Sequence, residues 1–144
     1  MKKNLLVSAC LLGLPCRYDG QCHPFAGMAA LLEKYVPIPV CPEVLGGLPT
    51  PRIPAERQGD RVITRDGRDV TDAYCRGAEE TLRIAHLSDC EAALLKERSP
   101  SCGSGTIYDG TFTHTSIPGD GVTVELLKKS GVAVFGESEY EKLL

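Results

Sequence analysis

Four short apolar runs recur along this sequence, and they restrict its fold more than any other feature. Each run has the length of a β-strand, and none of them shows the strict alternation of a half-exposed strand. Continuous apolar runs of this length are typical of parallel strands that are buried on both faces. The predicted buried strands are Lys3–Ala9, Val36–Cys41, Ala92–Lys96 and Val132–Phe135.

Segments with helical spacing lie between and after these strands. The predicted helices are Phe25–Tyr35, a helix capped by Thr71 or Asp72 that runs to about Leu87, Val122–Lys129 ahead of a C-terminal Gly131, and a short terminal helix Ser138–Leu144. Strands that alternate with helices indicate an α/β protein. We therefore expect a single domain over residues 1–144, with an open, mostly parallel sheet and helices on both faces in a Rossmann-like, three-layer arrangement.

The connections carry turn signals of two kinds. Leu45–Gly59 is rich in Gly and Pro, and we interpret it as an irregular functional loop. Two Asp-Gly pairs predict hairpins. The first joins Arg61–Thr64 to Arg68–Val70 and the second joins Thr106–Ile107 to Thr111–Thr113.

Cysteine content and charge limit the class of protein. The chain has seven cysteines in 144 residues, and its apolar run Leu5–Val7 is too short for a signal peptide or a membrane span. We expect a cytoplasmic protein with reduced thiols, for which this cysteine content indicates metal binding or catalysis. The net charge of −3 includes no basic stripe, so neither a nucleic acid polymer nor a membrane is expected as a partner. The sequence leaves the oligomeric state open.

Three cysteines fall at or just beyond the ends of predicted strands. Cys10 follows the first strand, Cys41 closes the second and Cys102 lies in the turn after the third. Because ligands of open α/β sheets bind outside the carboxyl ends of the strands, these thiols should converge at one edge. Converging thiolates suit zinc or an iron–sulfur cluster, although the spacing Cys10-x5-Cys16-x5-Cys22 is not that of a zinc ribbon.

The remaining cysteines and the histidines receive smaller roles. Cys16 is a candidate extra ligand or active-site thiol. Cys22 is not expected to take part in the site. Cys75 and Cys90 are expected to be small core side chains. The dispersed histidines are not assigned as ligands; they are His23, His86 and His114.

The residues around the three strand-end cysteines form blocks that resemble a known family. The blocks are Ser8-Ala9-Cys10-Leu11-Leu12-Gly13 with Cys16-Arg17-Tyr18-Asp19-Gly20, then Cys41-Pro42-Glu43-Val44-Leu45-Gly46-Gly47-Leu48 with Pro51-Arg52 and Pro54-Ala55-Glu56, and finally Lys96-Glu97-Arg98-Ser99-Pro100-Ser101-Cys102-Gly103. Together they are similar to the thiouracil desulfidase (TudS-like) family of small bacterial proteins, long described as a domain of unknown function. The resemblance spans nearly the whole chain.

This resemblance implies a cofactor, a reaction and a set of site residues. It implies a [4Fe–4S] cluster held by Cys10, Cys41 and Cys102, with one iron free of protein ligands and sensitive to oxygen. Glu43 and Ser101 would serve the chemistry, with Glu43 as general base or proton relay and Ser101 near the substrate. The implied reaction is a non-redox, hydrolytic exchange of sulfur for oxygen on a small thiolated pyrimidine such as thiouracil.

Other interpretations of the same residues remain open. Glu43 is also a typical first-turn helix residue, and Ser101 a typical turn residue. Arg52 and Arg57 are expected to be solvated loop charges, with substrate clamping as the alternative. Arg17-Tyr18-Asp19 either lines a pocket or ties its loop to the body of the protein.

Two other functions compete with the desulfidase. One is a non-catalytic zinc or iron–sulfur module in which Cys16 is the fourth ligand. The other is a metal-free thiol enzyme with Cys10 or Cys102 as nucleophile, against which the lack of a nearby histidine base counts.

Overall fold

The computed structural model describes residues 1–22 and 24–144. Its strands are β1 (Lys3–Ser8), β2 (Tyr35–Val40), β3 (Ala55–Gln58), β4 (Arg61–Thr64), β5 (Ala92–Leu95), β6 (Thr106–Tyr108), β7 (Ser116–Pro118) and β8 (Ala133–Gly136). Its α-helices are α1 (Met28–Lys34), α2 (Pro42–Leu45), α3 (Thr71–Leu87) and α4 (Val122–Lys129). Short 3-10 helices cover Ala9–Leu12 and Glu137–Leu143.

The central sheet contains the four strands predicted from the apolar runs, in the order β2-β1-β5-β8, and every pair is parallel. Its two central strands, β1 and β5, are buried on both faces. In β1, Leu6 belongs to a core cluster on one side of the sheet, whereas Leu5 and Val7 belong to a cluster on the other side. The continuous apolar run is explained by this two-sided burial.

Helices cover both faces of the sheet, so the predicted α/β class is confirmed. On one face, α4 contributes Val124 and Leu127 to the core, and α3 contributes Ala85. On the other face, α1 contributes Met28 and Leu31, and the last 3-10 helix contributes Leu143. Among the described residues, no helix is both long enough and apolar enough to cross a bilayer.

The structure corrects the predicted irregular loop. Part of Leu45–Gly59 is strand β3, which pairs with β4 in an antiparallel hairpin that turns before Arg61. The predicted pairing across Asp66-Gly67 is reduced to a single bridge between Ile63 and Asp69. Four residues are too few to show an alternating pattern against a Gly- and Pro-rich background, which explains why the sequence did not reveal β3.

Two further expectations need correction. Strand β6 pairs with β7 rather than with Thr111–Thr113, because the Asp109 carboxylate accepts hydrogen bonds from the backbone and hydroxyl of Thr111 and widens the turn. Helix α3 ends as predicted, but no side-chain cap bond is made by its N-cap residue, Val70. Instead, Asp69 accepts the Thr71 N–H at 2.9 Å.

Helix α2 rests directly on helix α3 through two glycines. A Cβ atom added at Gly77 would lie 1.9 Å from the carbonyl oxygen of Pro42, and one added at Gly46 would lie 2.0 Å from that of Ala73. The two backbones therefore touch without intervening side chains. This contact fixes α2, and with it the residues at its start, against the body of the protein.

Candidate active site

The three strand-end cysteines line one cavity at the carboxyl edge of the sheet. Cys10 lies in the 3-10 helix after β1, Cys41 is the N-cap of α2 after β2, and Cys102 lies in the loop after β5. All three line the same cavity, of about 250 Å³. Cys41 follows Cys10 by 31 residues, and Cys102 follows Cys41 by 61 residues. The three side chains nevertheless share one site, as the strand-end argument predicts.

Cys16 lies between two of these thiols. Its side chain is hydrogen-bonded to the thiols of Cys10 and Cys41, and its carbonyl oxygen accepts a bond from the Cys41 thiol at 3.7 Å. The bond with Cys10, together with partial burial, raises the pKa of Cys16. The bond with Cys16, together with desolvation, raises the pKa of Cys41 well above its usual range. Cys16 and Cys41 are therefore neutral thiols at pH 7, and each would have to lose its proton to bind a metal.

Cys102 is buried, and two serine hydroxyls hydrogen-bond to it. Desolvation raises the pKa of its thiol to about 12, although hydrogen bonds from Ser8 and Ser101 oppose that rise. The Ser8 hydroxyl also accepts the Lys96 N–H at 2.9 Å. Ser8 thus connects the ends of β1 and β5 to the Cys102 sulfur. Hydroxyl donors to a metal-bound sulfur are the kind of outer contact that orients a ligand and tunes its metal.

Ser101 is close to the cavity but does not line it. Its side chain is fully buried, and its hydroxyl shares a hydrogen bond of 2.8 Å with the hydroxyl of Thr123. Its carbonyl oxygen accepts the Thr123 N–H at the start of α4. The serines that line the cavity are Ser8 and Ser99, and the Ser99 hydroxyl accepts the N–H groups of Ser101 and Cys102 at 3.1 and 3.0 Å. Contact between Ser101 and a substrate stays a prediction.

Glu43 forms an ion pair inside the cavity wall. It lies in the first turn of α2, and its Oε2 accepts the Arg52 Nε–H at 2.7 Å. The Glu43 side chain is 15% exposed and that of Arg52 is 7% exposed. Tyr74 of α3, also buried, hydrogen-bonds to Glu43. Burial and the negative charge of Glu43 raise the pKa of Tyr74, so the phenol stays protonated and donates.

Arg52 connects several parts of the site. Its guanidinium donates to the carbonyl oxygens of Pro49 and Cys16 at 3.1 Å each, in addition to Glu43. Burial lowers the pKa of Arg52, but the Glu43 carboxylate more than offsets this and the net shift is upward. The expectation that Arg52 is a solvated loop charge is therefore wrong. Arg57 is also paired, with Glu125 at 2.6 Å and the carbonyl of Asp120 at 2.7 Å.

The cavity carries more cations than carboxylates. The basic side chains that line it are Arg17, Arg52, Arg65, Lys96 and Arg98, and the acidic ones are Glu43, Glu56 and Glu97. Each of these carboxylates is already hydrogen-bonded within the described part of the chain. Two of the cations are themselves ion-paired, Arg52 with Glu43 and Lys96 with Glu137, so the charges around the cavity are close to balanced. Tyr18 also lines the cavity, and its carbonyl oxygen accepts the Arg52 N–H at 2.7 Å, so its segment both lines the pocket and ties its loop.

The other cysteines and histidines lie mostly outside the site. Cys22 does not line the cavity, and Cys90 is buried in the core as expected. Cys75 is exposed, which corrects the core assignment, because α3 buries Tyr74, Ala78 and three other residues on the opposite face. His114 lines the cavity, and His23 lies outside the described residues.

The thiols have the chemistry of cluster ligands. Within the described residues, no group of three or more His, Cys, Asp or Glu side chains is close enough to hold one metal ion. A cubane cluster binds each cysteine through a different iron, so its ligands are spread around a core instead of meeting at one point. Cysteines that line one cavity of this size from three loops match that requirement, and thiolates are the donors such a cluster takes.

The sheet and its strand-end cavity define a class of α/β protein whose reactive groups are thiols, next to a buried carboxylate–guanidinium pair. A family model described as 2-thiouracil desulfurase matches residues 5–139, and the chain belongs to this family. The chain is similar to the solved structure of the [4Fe–4S]-dependent thiouracil desulfidase TudS, with 49% sequence identity and a TM-score of 0.92. The match covers 99% of this chain and 95% of the TudS chain. The uncharacterized protein YbbK of Bacillus subtilis (strain 168) is 43% identical over 97% of this chain and 99% of its own length.

Several contributors to the site were not found from the sequence. Tyr74 lies on the face of α3 that its residue pattern assigns to the core. Ser8 and Ser99 belong to a residue type that is common in turns and at strand ends. Neither residue type nor spacing distinguishes them from structural residues. For Ser8 and Ser99, the available sequence signal was their place in the blocks around Cys10 and Cys102, whereas Tyr74 lies in none of the blocks.

Proposed function

We propose that this protein is an enzyme that removes sulfur from a small thiolated pyrimidine such as thiouracil. The cofactor would be a [4Fe–4S] cluster bound by Cys10, Cys41 and Cys102. The observation that carries the proposal is the convergence of these thiols on one cavity from three strand ends. Support comes from the match to the structure of a [4Fe–4S]-dependent thiouracil desulfidase over 99% of the chain. We also propose that the chain is a single domain that works in the cytoplasm.

When bound, such a cluster would supply a Lewis acid for the thiocarbonyl sulfur and for the sulfide that leaves. The chain's own residues would do the proton chemistry. Glu43 would take a proton at its carboxylate from the attacking water, while Arg52 and Tyr74 hold that carboxylate in place. The water oxygen replaces sulfur on the ring carbon, and the two water protons, one of them by way of Glu43, leave with the sulfur as hydrogen sulfide, so no electron is transferred. Ser101 would position the Cys102 sulfur through its hydrogen bond.

The test begins with anaerobic purification and analysis of iron and acid-labile sulfide. We expect about four of each per chain from the composition of the cluster, together with release of sulfide from thiouracil. Cys10→Ala should lose the iron, because it removes a ligand. Cys75→Ala is the matched control, since it removes an exposed thiol of α3 and should retain iron and activity. Loaded protein that releases no sulfide from any thiolated pyrimidine would rule out this reaction.

A second candidate is the non-catalytic metal module with Cys16 as a fourth ligand. The observation that favours it is the contact of the Cys16 thiol with those of Cys10 and Cys41. The two functions differ in what Cys16→Ala does. The desulfidase predicts that this variant keeps its iron, whereas the closed module predicts loss of metal as complete as in Cys10→Ala.

A further inference from the structure

Phe112 is an apolar ring that the fold places on the cavity wall instead of in the core. It lies in the turn between β6 and β7, it is half-buried, and it lines the same cavity as the cysteines. It belongs to neither of the two core clusters around the central sheet. Hydrophobic burial in the body of the protein therefore does not explain its position.

The backbone at Phe112 is held in a strained conformation. Its φ is +60°, in the left-handed region that a bulky residue rarely adopts. Such strain persists only where neighbouring contacts outweigh it, and it is concentrated at functional sites. Here the neighbouring contact is Glu56 of β3, whose carboxylate accepts the N–H groups of Phe112 and Gly110 at 3.1 and 3.0 Å. Glu56 is itself only 8% exposed, so the turn is fastened by a buried acceptor.

The ring is also held on one of its two faces. The Arg65 guanidinium lies over the ring, with its Cζ atom 5.7 Å from the centroid. In the same turn, His114 has a φ of +58° and packs edge-to-face on Tyr108 with ring centroids 5.5 Å apart. All four side chains line the cavity. The turn thus adds a fixed aromatic wall to the cavity that the thiols and the Glu43–Arg52 pair also line.

From this placement we infer that Phe112 stacks on the ring of the substrate and determines its specificity, favouring planar heteroaromatic thiocarbonyl compounds over acyclic thioamides. The inference rests on the proposed function and deepens it. A flat apolar ring gives face contact to a planar base, which contributes binding free energy whatever the hydrogen-bonding pattern of that base. An acyclic thioamide offers no comparable face.

The test compares Phe112→Asn and Phe112→Tyr with the parent. Asn tolerates the left-handed conformation but lacks the ring, so the turn should be retained while stacking is lost. We expect Phe112→Asn to raise the KM for thiouracil at least about fivefold, with a much smaller change in kcat, and to leave the KM for thioacetamide nearly unchanged. Phe112→Tyr should restore the parent KM for thiouracil.

Thr113→Ala is the matched control, because Thr113 is an exposed member of the same turn and does not line the cavity. It should leave the KM for thiouracil unchanged. Equilibrium dialysis with uracil gives a measurement that needs no turnover, and Phe112→Asn should bind uracil at least about fivefold more weakly than the parent. Equal uracil binding by the two proteins would overturn the inference. Failure of the parent to release sulfide would overturn the proposed function, with the dialysis still deciding the role of Phe112.

Discussion

At the scale of single residues, the ion pair between Glu43 and Arg52 organises the site. Both side chains are largely removed from water, and the Arg52 Nε lies 2.7 Å from the Glu43 Oε2. Arg52 also donates to backbone carbonyls of two different loops. A lysine could not make these contacts together, because its single ammonium lacks the planar fork of a guanidinium. The pair therefore holds the proposed general base and the loop around Cys16 in one arrangement.

Removing one member of this pair should cost considerable stability. We expect Arg52→Ala to lower the free energy of unfolding by about 3–5 kcal/mol, because it leaves the Glu43 carboxylate buried without a partner. Urea denaturation measures this loss. Arg68→Ala is the control, since the Arg68–Asp66 pair is exposed and its removal should change the free energy of unfolding much less than Arg52→Ala does. An equal effect of the two changes would contradict the buried-pair argument.

At the scale of elements, the contact of α2 with α3 places Cys41 and Glu43. The contact needs glycine at two positions, because a Cβ atom at Gly46 or Gly77 would overlap a carbonyl oxygen of the other helix. Glycine inside a helix usually weakens it by about 0.5–1 kcal/mol relative to alanine. Here that cost is offset by close packing of the helix that carries the site.

Gly77→Ala should therefore destabilise the protein, against the usual helix preference. The added Cβ would lie 1.9 Å from the Pro42 oxygen, so α2 must move away from α3. We expect the free energy of unfolding to fall by about 1–3 kcal/mol or more, as in other overpacked sites. Urea denaturation and the iron content after anaerobic purification would both report the change. Cys75→Ala on the exposed face of α3 is the control and should have little effect.

The edge strand β2 illustrates how the sequence protects the sheet. Pro37 and Pro39 pair with Leu5 and Val7 of β1 and have no N–H to donate. Because residues two apart point their N–H groups to the same side, both prolines must face the free edge, and the other residues of β2 maintain the ladder. This leaves the outer edge short of donors, which discourages another strand from pairing there.

At the scale of the whole molecule, the proposed cluster would connect three loops that are far apart in sequence. Without it, these loops are held by contacts such as those of Ser8, Ser99 and Arg52. A cofactor that binds only the folded chain stabilises the fold by mass action. Its ligands must also lose protons on binding, so uptake should be coupled to folding and to pH.

Loading with iron and sulfide should therefore raise the midpoint of thermal unfolding. We expect a rise of at least about 5 °C over the metal-free protein, measured anaerobically by circular dichroism. Removal of the iron with a chelator should reverse the rise. Cys102→Ser should not show it, because the variant lacks one proposed ligand. An identical midpoint with and without iron would indicate that the metal does not bind the folded chain at this site.

The local pattern of residues determined the central sheet and the position of its strand-end cysteines. Strands β1, β2, β5 and β8 were all predicted from short apolar runs, and in the central strands β1 and β5 such a run reflects burial on both faces. The convergence of Cys10, Cys41 and Cys102 followed from the geometry of parallel strands, which needs no knowledge of the loops.

The folded chain decided which side chains reach the cavity. Ser99 lines it while Ser101 turns toward Thr123, Arg52 is buried against Glu43, and Phe112 stands on the wall. These outcomes depend on contacts between segments that are distant in sequence and on the course of irregular loops. Neither residue type nor periodicity encodes such contacts locally, because they form only when packing of the whole molecule selects one loop conformation among many.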